Sequence, residues 1–356
     1  MNKNRYLAAA LLALSAVAIA GCGSSSNSDK DQAGAFGTIK VFELPGGNTQ
    51  PFGITSGPDG NLWLTEATGD HVDKVSVQGK VLGRYPIPGK GSNFQAQGIV
   101  SGYDDRLWTT LCNPSKIAAV TTGGKFSEYP TPTPKAGPCA ITKGPEGKLW
   151  FASFEGNLVG SVTSEGRMEE FKAPTPKSGT YQVISGPDDE LWVSQNTGDS
   201  VASVDTAGEF TEFPLGGNDK SDVAGLTLTR DGSVWFAETT GNLVGKLVPD
   251  SSAPNGRRLV KYPMARKDTW PYAMITGPDG NVWFTELGGD RVARITAAGK
   301  ITEWELPDGS APRDLTLGPD GNLWIALSGG QDDILKVDGS NKPAVARFSL
   351  QATDEE

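Results

Sequence analysis

The acidic side chains that could do chemistry recur at one place in a repeated phrase. Glu66, Glu238 and Glu286 each stand three residues after a tryptophan, and Gln195 occupies the same place in another copy of the phrase. Carboxylate oxygens are preferred ligands of Mg²⁺ and Ca²⁺, so Glu238 and Glu286 are candidate ligands for one of these cations. The alternatives are that these carboxylates are solvated members of the repeat, or that they pair with Arg313.

Histidine and cysteine, the usual bases and nucleophiles, are scarce in this chain. His71 is the only histidine, and it falls in a polar turn where an exposed side chain is expected. It lies far from Cys139 along the repeats, so no pair of the Ser–His or Cys–His type supports a nucleophilic hydrolase. Cys112 and Cys139 fall at positions that the repeat brings to one face. A disulfide between them is one interpretation, and two separate thiols are the other.

The repeat itself predicts the fold. Copies read PFGITSGPDGNLWLTE from Pro51 and PYAMITGPDGNVWFTE from Pro271. Each Gly-Pro-Asp-Gly segment is typical of a turn, and the short β-rich runs around it alternate with a period of two residues. Four such strands in about 40–45 residues match one propeller blade, which predicts an all-β, seven-bladed β-propeller. The blade tryptophans, which we interpret as packing residues between blades rather than a ligand-binding ring, are Trp63, Trp108, Trp150, Trp192, Trp235, Trp283 and Trp324.

A terminal strand should close the ring, because closure removes exposed sheet edges. The segment typical of an outer strand occurs eight times, with extra copies at Thr38–Leu44 and Val345–Leu350. Thr38–Leu44 matches the repeat better, so we expect it to complete the last blade.

In a propeller, the starts of the inner strands and the ends of the second strands meet on one face around the central channel. The predicted inner-strand starts are Phe52, Gln97, Cys139, Gln182, Ala224, Tyr272 and Arg313. The residues at the second-strand ends are Glu66, Leu111, Ser153, Gln195, Glu238, Glu286 and Leu327. Trp270 lies outside the repeat register, on the loop that enters this face. The predicted ligand-binding set is therefore Phe52, Glu66, Gln195, Glu238, Trp270, Tyr272, Glu286 and Arg313, which suits a small molecule or a protein ligand.

The repeat phrase resembles that of streptogramin B lyases, also called virginiamycin B lyases, over about residues 38–350. The shared pattern is P-x-G-I-T-x-G-P-D-G-N-L-W-F-T-E, then G-N-x-I-G-x-I, then G-x-I-T-E-F-x-L-P. The resemblance implies a seven-bladed propeller and a magnesium-dependent elimination that linearises a cyclic depsipeptide. Related propeller repeats also occur in binding proteins that are not enzymes.

The resemblance also implies where catalytic residues should stand. The family's histidines follow the prolines that open the inner strands of the last two repeats, and the matching residues here are Tyr272 and Arg313. The family's carboxylate before the last of these prolines is matched by Ala311. Its glutamate after the seventh tryptophan is matched by Leu327 or Ser328. Tyr272, Arg313 and Glu286 thus remain candidates for a catalytic role only in a site without histidine.

The N-terminus predicts export and lipidation. A basic start and an apolar stretch end in Ile19-Ala20-Gly21-Cys22, which resembles a bacterial lipobox with Cys22 as the acylated residue. We expect residues 1–21 to be a lipoprotein signal peptide, 22–37 a flexible tether, 38–350 the propeller and 351–356 a tail. The protein would then be a monomer at the cell envelope, held at the membrane by the lipid alone. A net charge of −10 disfavours nucleic acid as a partner.

Three functions follow from these patterns. The first is a non-catalytic, membrane-tethered propeller that binds a ligand or a protein partner at the channel face. The second is a carbon–oxygen lyase of the streptogramin type, acting on a cyclic ester or lactone with altered residues. The third is a metal-dependent lactone hydrolase, as in gluconolactonase-like propellers. The missing histidines favour the first.

Overall fold

Seven four-stranded antiparallel sheets make up the protein, which confirms the predicted seven-bladed β-propeller. The computed structural model describes residues 37–45, 49–89, 95–216, 221–329 and 344–350. The predicted signal peptide, Cys22 and the tail lie outside the described residues. Within the described residues, no helix is long and apolar enough to cross a membrane.

From β2 onward the strands follow one another in blade order, and only two short 3₁₀ turns, at Pro145–Gly147 and Pro254–Gly256, interrupt them in the described part of the chain. In chain order the strands are β1 (Ile39–Glu43), β2 (Pro51–Ser56), β3 (Leu62–Glu66), β4 (His71–Val75), β5 (Val81–Pro86), β6 (Ala96–Ser101), β7 (Arg106–Leu111), β8 (Lys116–Thr121), β9 (Phe126–Pro130), β10 (Pro138–Lys143), β11 (Leu149–Ser153), β12 (Leu158–Val162), β13 (Met168–Lys172), β14 (Thr180–Ser185), β15 (Leu191–Gln195), β16 (Ser200–Val204), β17 (Phe210–Pro214), β18 (Val223–Leu228), β19 (Val234–Glu238), β20 (Leu243–Pro249), β21 (Arg257–Pro263), β22 (Pro271–Thr276), β23 (Val282–Glu286), β24 (Arg291–Ile295), β25 (Ile301–Glu305), β26 (Pro312–Leu317), β27 (Leu323–Leu327) and β28 (Ala344–Phe348).

The seven blade tryptophans are core residues, since each is at most 2% exposed. Each indole lies against an aromatic ring from the outer strand of its own blade, with ring centroids 5.2–5.9 Å apart. Such pairs stabilise the blade beyond the area that they bury. The partners are Tyr85, Tyr129, Phe171, Phe213, Tyr262, Trp304 and Phe42. Each tryptophan also packs against the next blade, as Trp63 does in a cluster with Ile99 and Leu107 of blade 2, so the predicted packing between blades is confirmed.

In four blades, an aspartate in the turn before the second strand holds the tryptophan in place. In blade 1, the indole Nε1–H of Trp63 donates to Asp59 Oδ1 at 3.1 Å. Asp59 Oδ1 also accepts the backbone N–H of Asn61 at 3.2 Å. The same indole–aspartate bond recurs in blades 2, 6 and 7. The aspartate thus satisfies a buried indole donor and a turn amide, which is the turn role expected from the sequence.

Ring closure uses both ends of the propeller. The strand order of blade 7 is β1-β28-β27-β26, with Ile39 opposite Phe348 and Glu43 opposite Ala344. The prediction that Thr38–Leu44 supplies the outer closing strand is confirmed. The interpretation of Val345–Leu350 as a further outer strand was wrong, because β28 is the third strand and pairs on both edges. Its buried Ala344, Val345 and Ala346 suit that interior position better than an exposed edge.

Candidate functional site

The inner strands converge on a cavity of about 110 Å³ at the mouth of the central channel. Each blade contributes the second residue of its inner strand: Phe52, Gln97, Cys139, Tyr181, Ala224, Tyr272 and Arg313. The sequence placed Gln182 at this position in blade 4, which is off by one residue. Thr180 pairs with Gln195 as Pro51 pairs with Glu66, so Tyr181 is the counterpart of Phe52, while Gln182 is one residue further along the cavity wall.

Arg313 is the cationic centre of this cavity. Its guanidinium lies 5.1 Å from the ring centroid of Phe52 and 5.3 Å from that of Tyr272, although the residue is only 8% exposed. A guanidinium flanked by aromatic faces keeps its N–H donors in its own plane, where they suit a planar anionic group. The sequence-predicted residues Phe52, Tyr272 and Arg313 are therefore brought together.

Two tyrosines extend this cluster across the channel. The hydroxyl groups of Tyr181 and Tyr272 are in hydrogen-bonding contact, and their rings meet edge to face at 6.4 Å. Burial, followed by the neighbouring Tyr272, raises the pKa of Tyr181 well above its ordinary value. Tyr181 was not among the residues predicted from the sequence. It stands five residues before Gly186 of the Gly-Pro turn, as Phe52 stands five residues before Gly57.

Asp314 was also missed, and it stands where the other blades carry Gly, Ala or Gln. Its Oδ2 accepts the backbone N–H of Ile54 at 3.0 Å, and its Oδ1 accepts that of Leu315 at 2.9 Å. Burial raises its pKa to about 6. Asp314 therefore contributes a carboxyl group to the cavity wall and joins blade 7 to blade 1.

The second-strand ends do not line this cavity, contrary to the predicted ring. Three of these side chains contact the outer strand of their own blade, and two of the three are Glu66, which lies 2.6 Å from Arg84, and Glu238, which lies 2.8 Å from Lys261. In blade 4, Gln195 Nε2 donates to Glu212 Oε1 at 2.7 Å. The second strand lies one strand further from the channel axis, so its terminal side chain reaches the neighbouring strands instead of the channel.

Glu286 is the exception among these pairs, because the outer-strand residue at the matching position is Glu303. The carboxylate of Glu286 is fully buried, and neither oxygen has a hydrogen-bond partner among the described residues. Burial, followed by the charge of Glu303, raises the pKa of Glu286 to about 8. Glu303 is itself 3.3 Å from the guanidinium of Arg266.

Trp270 and His71 lie outside the cavity lining as well. Trp270 is half-buried on the link between blades 5 and 6, where its backbone N–H donates to Asn242 Oδ1 at 3.3 Å. His71 Nδ1 is in hydrogen-bonding contact with the Gly69 carbonyl and lies 3.7 Å from Glu66. Neither residue is among those that line the channel-mouth cavity.

The two cysteines meet at the boundary between blades 2 and 3. Both are free thiols, so the structure has the second of the two arrangements that the sequence allowed. Cys139 lines the channel-mouth cavity, and Cys112 lines a neighbouring cleft of about 680 Å³.

The positions that the resemblance matched to family carboxylates are occupied by residues that pack in the interior. Leu327 is 2% exposed, and the Ser328 hydroxyl donates to the Ala311 carbonyl at 2.9 Å.

Comparison with known proteins connects this fold to one family. The model of the virginiamycin B lyase family matches residues 31–112 and 92–335. Virginiamycin B lyase from Staphylococcus aureus is 25% identical with a TM-score of 0.77, over 88% of this chain and 99% of that chain. A streptogramin B lyase structure is 27% identical with a TM-score of 0.76, over 89% and 99%. A gluconolactonase-like structure, at 14% identity and a TM-score of 0.54, shares the fold alone. No curated protein matches the chain in a sequence comparison. With a family model that spans most of the propeller and solved lyases that superpose on nearly all of it, the chain belongs to the virginiamycin B lyase family.

Proposed function

We propose that this protein is a non-catalytic member of its family that binds a small ligand or a protein segment at the channel mouth. The observation that carries the proposal is the composition of that cavity. Tyr272 and Arg313 stand at the two positions that the family resemblance assigns to histidine, and no histidine lines the cavity among the described residues. The fold of the lyases is retained while the acid–base groups are replaced.

The remaining groups are poorly suited to remove a proton at neutral pH. A general base needs a pKa near the working pH and an unprotonated form. The guanidinium of Arg313 carries hydrogen-bond donors and no acceptor, and the raised pKa of Tyr181 keeps its hydroxyl neutral. Asp314 has a pKa of about 6, but both of its oxygens already accept backbone N–H groups, which holds the carboxylate in the wall. These features support binding over elimination.

The residues at the mouth also do not fit the magnesium ion that the resemblance implies. No group of three or more His, Cys, Asp or Glu side chains converges among the described residues. Glu238 faces Lys261, and Arg313 brings a positive charge to the cavity itself. A hard cation needs several oxygen ligands, so neither lyase-type nor hydrolase-type metal chemistry is supported here.

The cavity chemistry indicates the kind of ligand. A volume of about 110 Å³ accommodates only a small group, so a larger ligand would insert one part of itself. The aromatic faces of Phe52 and Tyr272 suit an apolar or planar group, while Arg313 suits a carboxylate or another oxyanion. The proposed ligand therefore presents an anionic group next to a planar or apolar surface.

The test uses the whole purified protein, a streptogramin B depsipeptide and magnesium, with ring opening followed by mass spectrometry. We expect the depsipeptide to remain intact with the wild type. The double variant Tyr272→His/Arg313→His, which restores the family residue types, serves as the comparison. Ring opening by the wild type that is lost in Tyr272→Phe would overturn the non-catalytic proposal and support the lyase alternative.

Ligand binding is tested separately, by calorimetric titration with a panel of small aromatic carboxylates. Arg313→Ala should weaken binding at least tenfold, because it removes the only cation in the cavity lining among the described residues. Arg167→Ala is the matched control, since Arg167 lies in the turn between β12 and β13 and its side chain is 81% exposed. If no panel member binds the wild type, or if both variants bind equally, the proposed Arg313 site is wrong.

We further propose that the protein acts at the cell envelope, anchored through a lipid on Cys22. The lipobox-like sequence before Cys22 supports this location. In cells fed a labelled fatty acid, the wild type should carry the label and sediment with membranes. Cys22→Ser should lose both properties, and label retained in that variant would exclude Cys22 as the anchor.

A further inference from the structure

Two thiols face each other across the boundary between blades 2 and 3. Cys112 follows the second strand of blade 2, and its Sγ–H donates to the Pro138 carbonyl at 2.9 Å. Pro138 is bonded directly to Cys139, whose own Sγ–H donates to the Gly137 carbonyl at 3.2 Å. The blades are fixed against each other at this point, because Thr110 Oγ1–H donates to the Cys139 carbonyl at 2.8 Å. The two thiols therefore lie near enough to interact, at strand ends that are hydrogen-bonded to each other.

The two thiols differ in how a reagent reaches them. Cys112 is half-buried and lines the cleft of about 680 Å³, together with Lys135 and Glu155. Cys139 is 7% exposed and lines the smaller channel-mouth cavity. The thiol pair therefore forms part of the partition between two cavities. A reagent from solvent meets Cys112 first.

We propose that Cys112 and Cys139 are an oxidative modification site, at which a small-molecule disulfide converts the two thiols into a disulfide that links blade 2 to blade 3. This inference is independent of the proposed ligand-binding function. The strand ends that carry the two cysteines are already in contact, as a disulfide between them requires.

The reaction balances as two thiol–disulfide exchanges. The Cys112 thiol loses its proton to solvent, attacks the reagent disulfide and releases one reagent thiolate, which leaves a mixed disulfide on Cys112. Cys139 then loses its proton, attacks the Cys112 sulfur and releases the second reagent thiolate. One reagent S–S bond is reduced, two protein S–H bonds are lost, and one protein S–S bond forms.

Local environment sets the pH at which the exchange proceeds. The adjacent Cys139 side chain, followed by burial, raises the pKa of the Cys112 thiol. The thiolate is the attacking form, so the reaction should accelerate as pH rises from 7 to 9. Glu155 lies close enough to add to this effect, and its replacement by Gln should make the exchange faster.

The experiment uses full-length protein with Cys22→Ser in every variant, treated with oxidised glutathione at pH 8.5, unfolded and alkylated with iodoacetamide. The intact mass of the protein with both thiols should fall by two hydrogen atoms, with no alkyl group added. Cys139→Ser should stop at one glutathione adduct on Cys112. Cys112→Ser should stay unmodified by glutathione and take one alkyl group, because buried Cys139 is inaccessible.

A melting measurement separates this result from chance oxidation of unfolded chains. Oxidised protein should melt several degrees higher than the same sample with dithiothreitol, and the single-cysteine variants should show no such difference. Two alkyl groups on the treated protein would overturn the proposal. Glutathione adducts retained on both cysteines, or a disulfide that lowers the melting temperature, would overturn it as well.

Discussion

At the scale of single residues, the end of each second strand illustrates how one position takes different partners. The residue at this end and its partner on the outer strand are a carboxylate and a cation in blades 1 and 5, and an amide and a carboxylate in blade 4. In blade 6 it is two carboxylates, Glu286 and Glu303. A buried charge without a partner is costly, so Glu286 should hold a proton over much of the neutral range.

Glu286→Gln should stabilise the protein at alkaline pH. The pKa of Glu286 is raised from 4.5 to about 8 in the folded state, so its contribution to stability is complete below pH 4.5 and is lost as pH rises through 8. Glutamine does not titrate, and its amide can donate to Glu303 as Gln195 donates to Glu212. The expected gain at pH 9 is several kcal/mol, up to about 5 kcal/mol from the size of the shift. Chemical denaturation from pH 4 to pH 9 measures it.

The matched control reverses the exchange in blade 4. Gln195→Glu places a second carboxylate beside Glu212, so it should destabilise the protein above pH 5 and have little effect at pH 4. Equal pH profiles for the wild type and Glu286→Gln would show that Glu286 is ionised throughout, and would remove this account of blade 6.

At the scale of elements, the outer strand supplies the aromatic ring on which each blade tryptophan lies. In blade 7 this ring is Phe42, which comes from the other end of the chain and lies 5.6 Å from Trp324. The Phe42 ring also abuts Gly79 of blade 1, where φ is +80° and a Cβ atom would meet the ring at 2.0 Å. The Phe42 side chain thus contacts both blade 7, which β1 completes, and blade 1.

Phe42→Ala should weaken ring closure, with a loss of about 3 kcal/mol in the free energy of unfolding. Val41→Ala is the control on the same strand, because Val41 is 37% exposed and its loss should change stability by less than about 0.5 kcal/mol. Urea denaturation of both variants provides the comparison. A Phe42→Ala variant as stable as the control would mean that β28 and the rest of blade 7 close the ring without the stack.

The elements were predictable from sequence to the extent that the repeat is regular. The tryptophan spacing and the turn residues gave seven blades, and the match of Thr38–Leu44 to the outer-strand pattern gave the closing strand. Blade 7 departs from the pattern, so the placement of Val345–Leu350 failed. The third strand of this blade is β28, and residues 330–343, which precede it, lie outside the described residues.

The site was less predictable, because strand ends share a face without sharing a cavity. The inner-strand residues Phe52, Tyr272 and Arg313 met at the channel mouth. Glutamates at the second-strand ends contact the outer strands instead. A count of positions along the chain cannot distinguish a side chain that points into the channel from one that points to the outer strand. Tyr181 was not predicted because the register of its strand was placed one residue too far along. Asp314 was not predicted because most blades carry a small residue at its position.

At the scale of the whole molecule, side-chain bonds link every blade to the next around the channel. Thr65 Oγ1–H donates to the Gln97 carbonyl at 2.6 Å between blades 1 and 2. Comparable bonds to backbone carbonyls link blades 2 to 3, 3 to 4, 4 to 5, 5 to 6 and 6 to 7. The junction between blades 7 and 1 also has such a bond, from Ser56 Oγ–H to the Leu317 carbonyl at 2.6 Å, and there the Asp314 carboxylate additionally accepts the Ile54 N–H. A titratable group therefore sits at the point where the ring closes.

Asp314 should make ring closure sensitive to pH. Its pKa is raised from 3.8 to about 6 by burial, so its stabilising contribution is complete below pH 3.8 and is lost as pH rises through 6. The loss between pH 4 and pH 8 should be about 3 kcal/mol. Asp314→Asn keeps an acceptor for Ile54 but does not titrate, so it should be more stable than the wild type at pH 8 and similar at pH 4.

Asp314→Ala separates titration from hydrogen bonding, because it leaves the Ile54 N–H without its acceptor at every pH. It should be about 1–3 kcal/mol less stable than Asp314→Asn across the whole range. Urea denaturation at pH 4, 6 and 8 distinguishes the three proteins. Parallel pH profiles for the wild type and Asp314→Asn would show that Asp314 stays ionised in the folded state. The junction between blades 7 and 1 would then depend on a charged hydrogen bond, and Asp314→Asn should weaken it at pH 8.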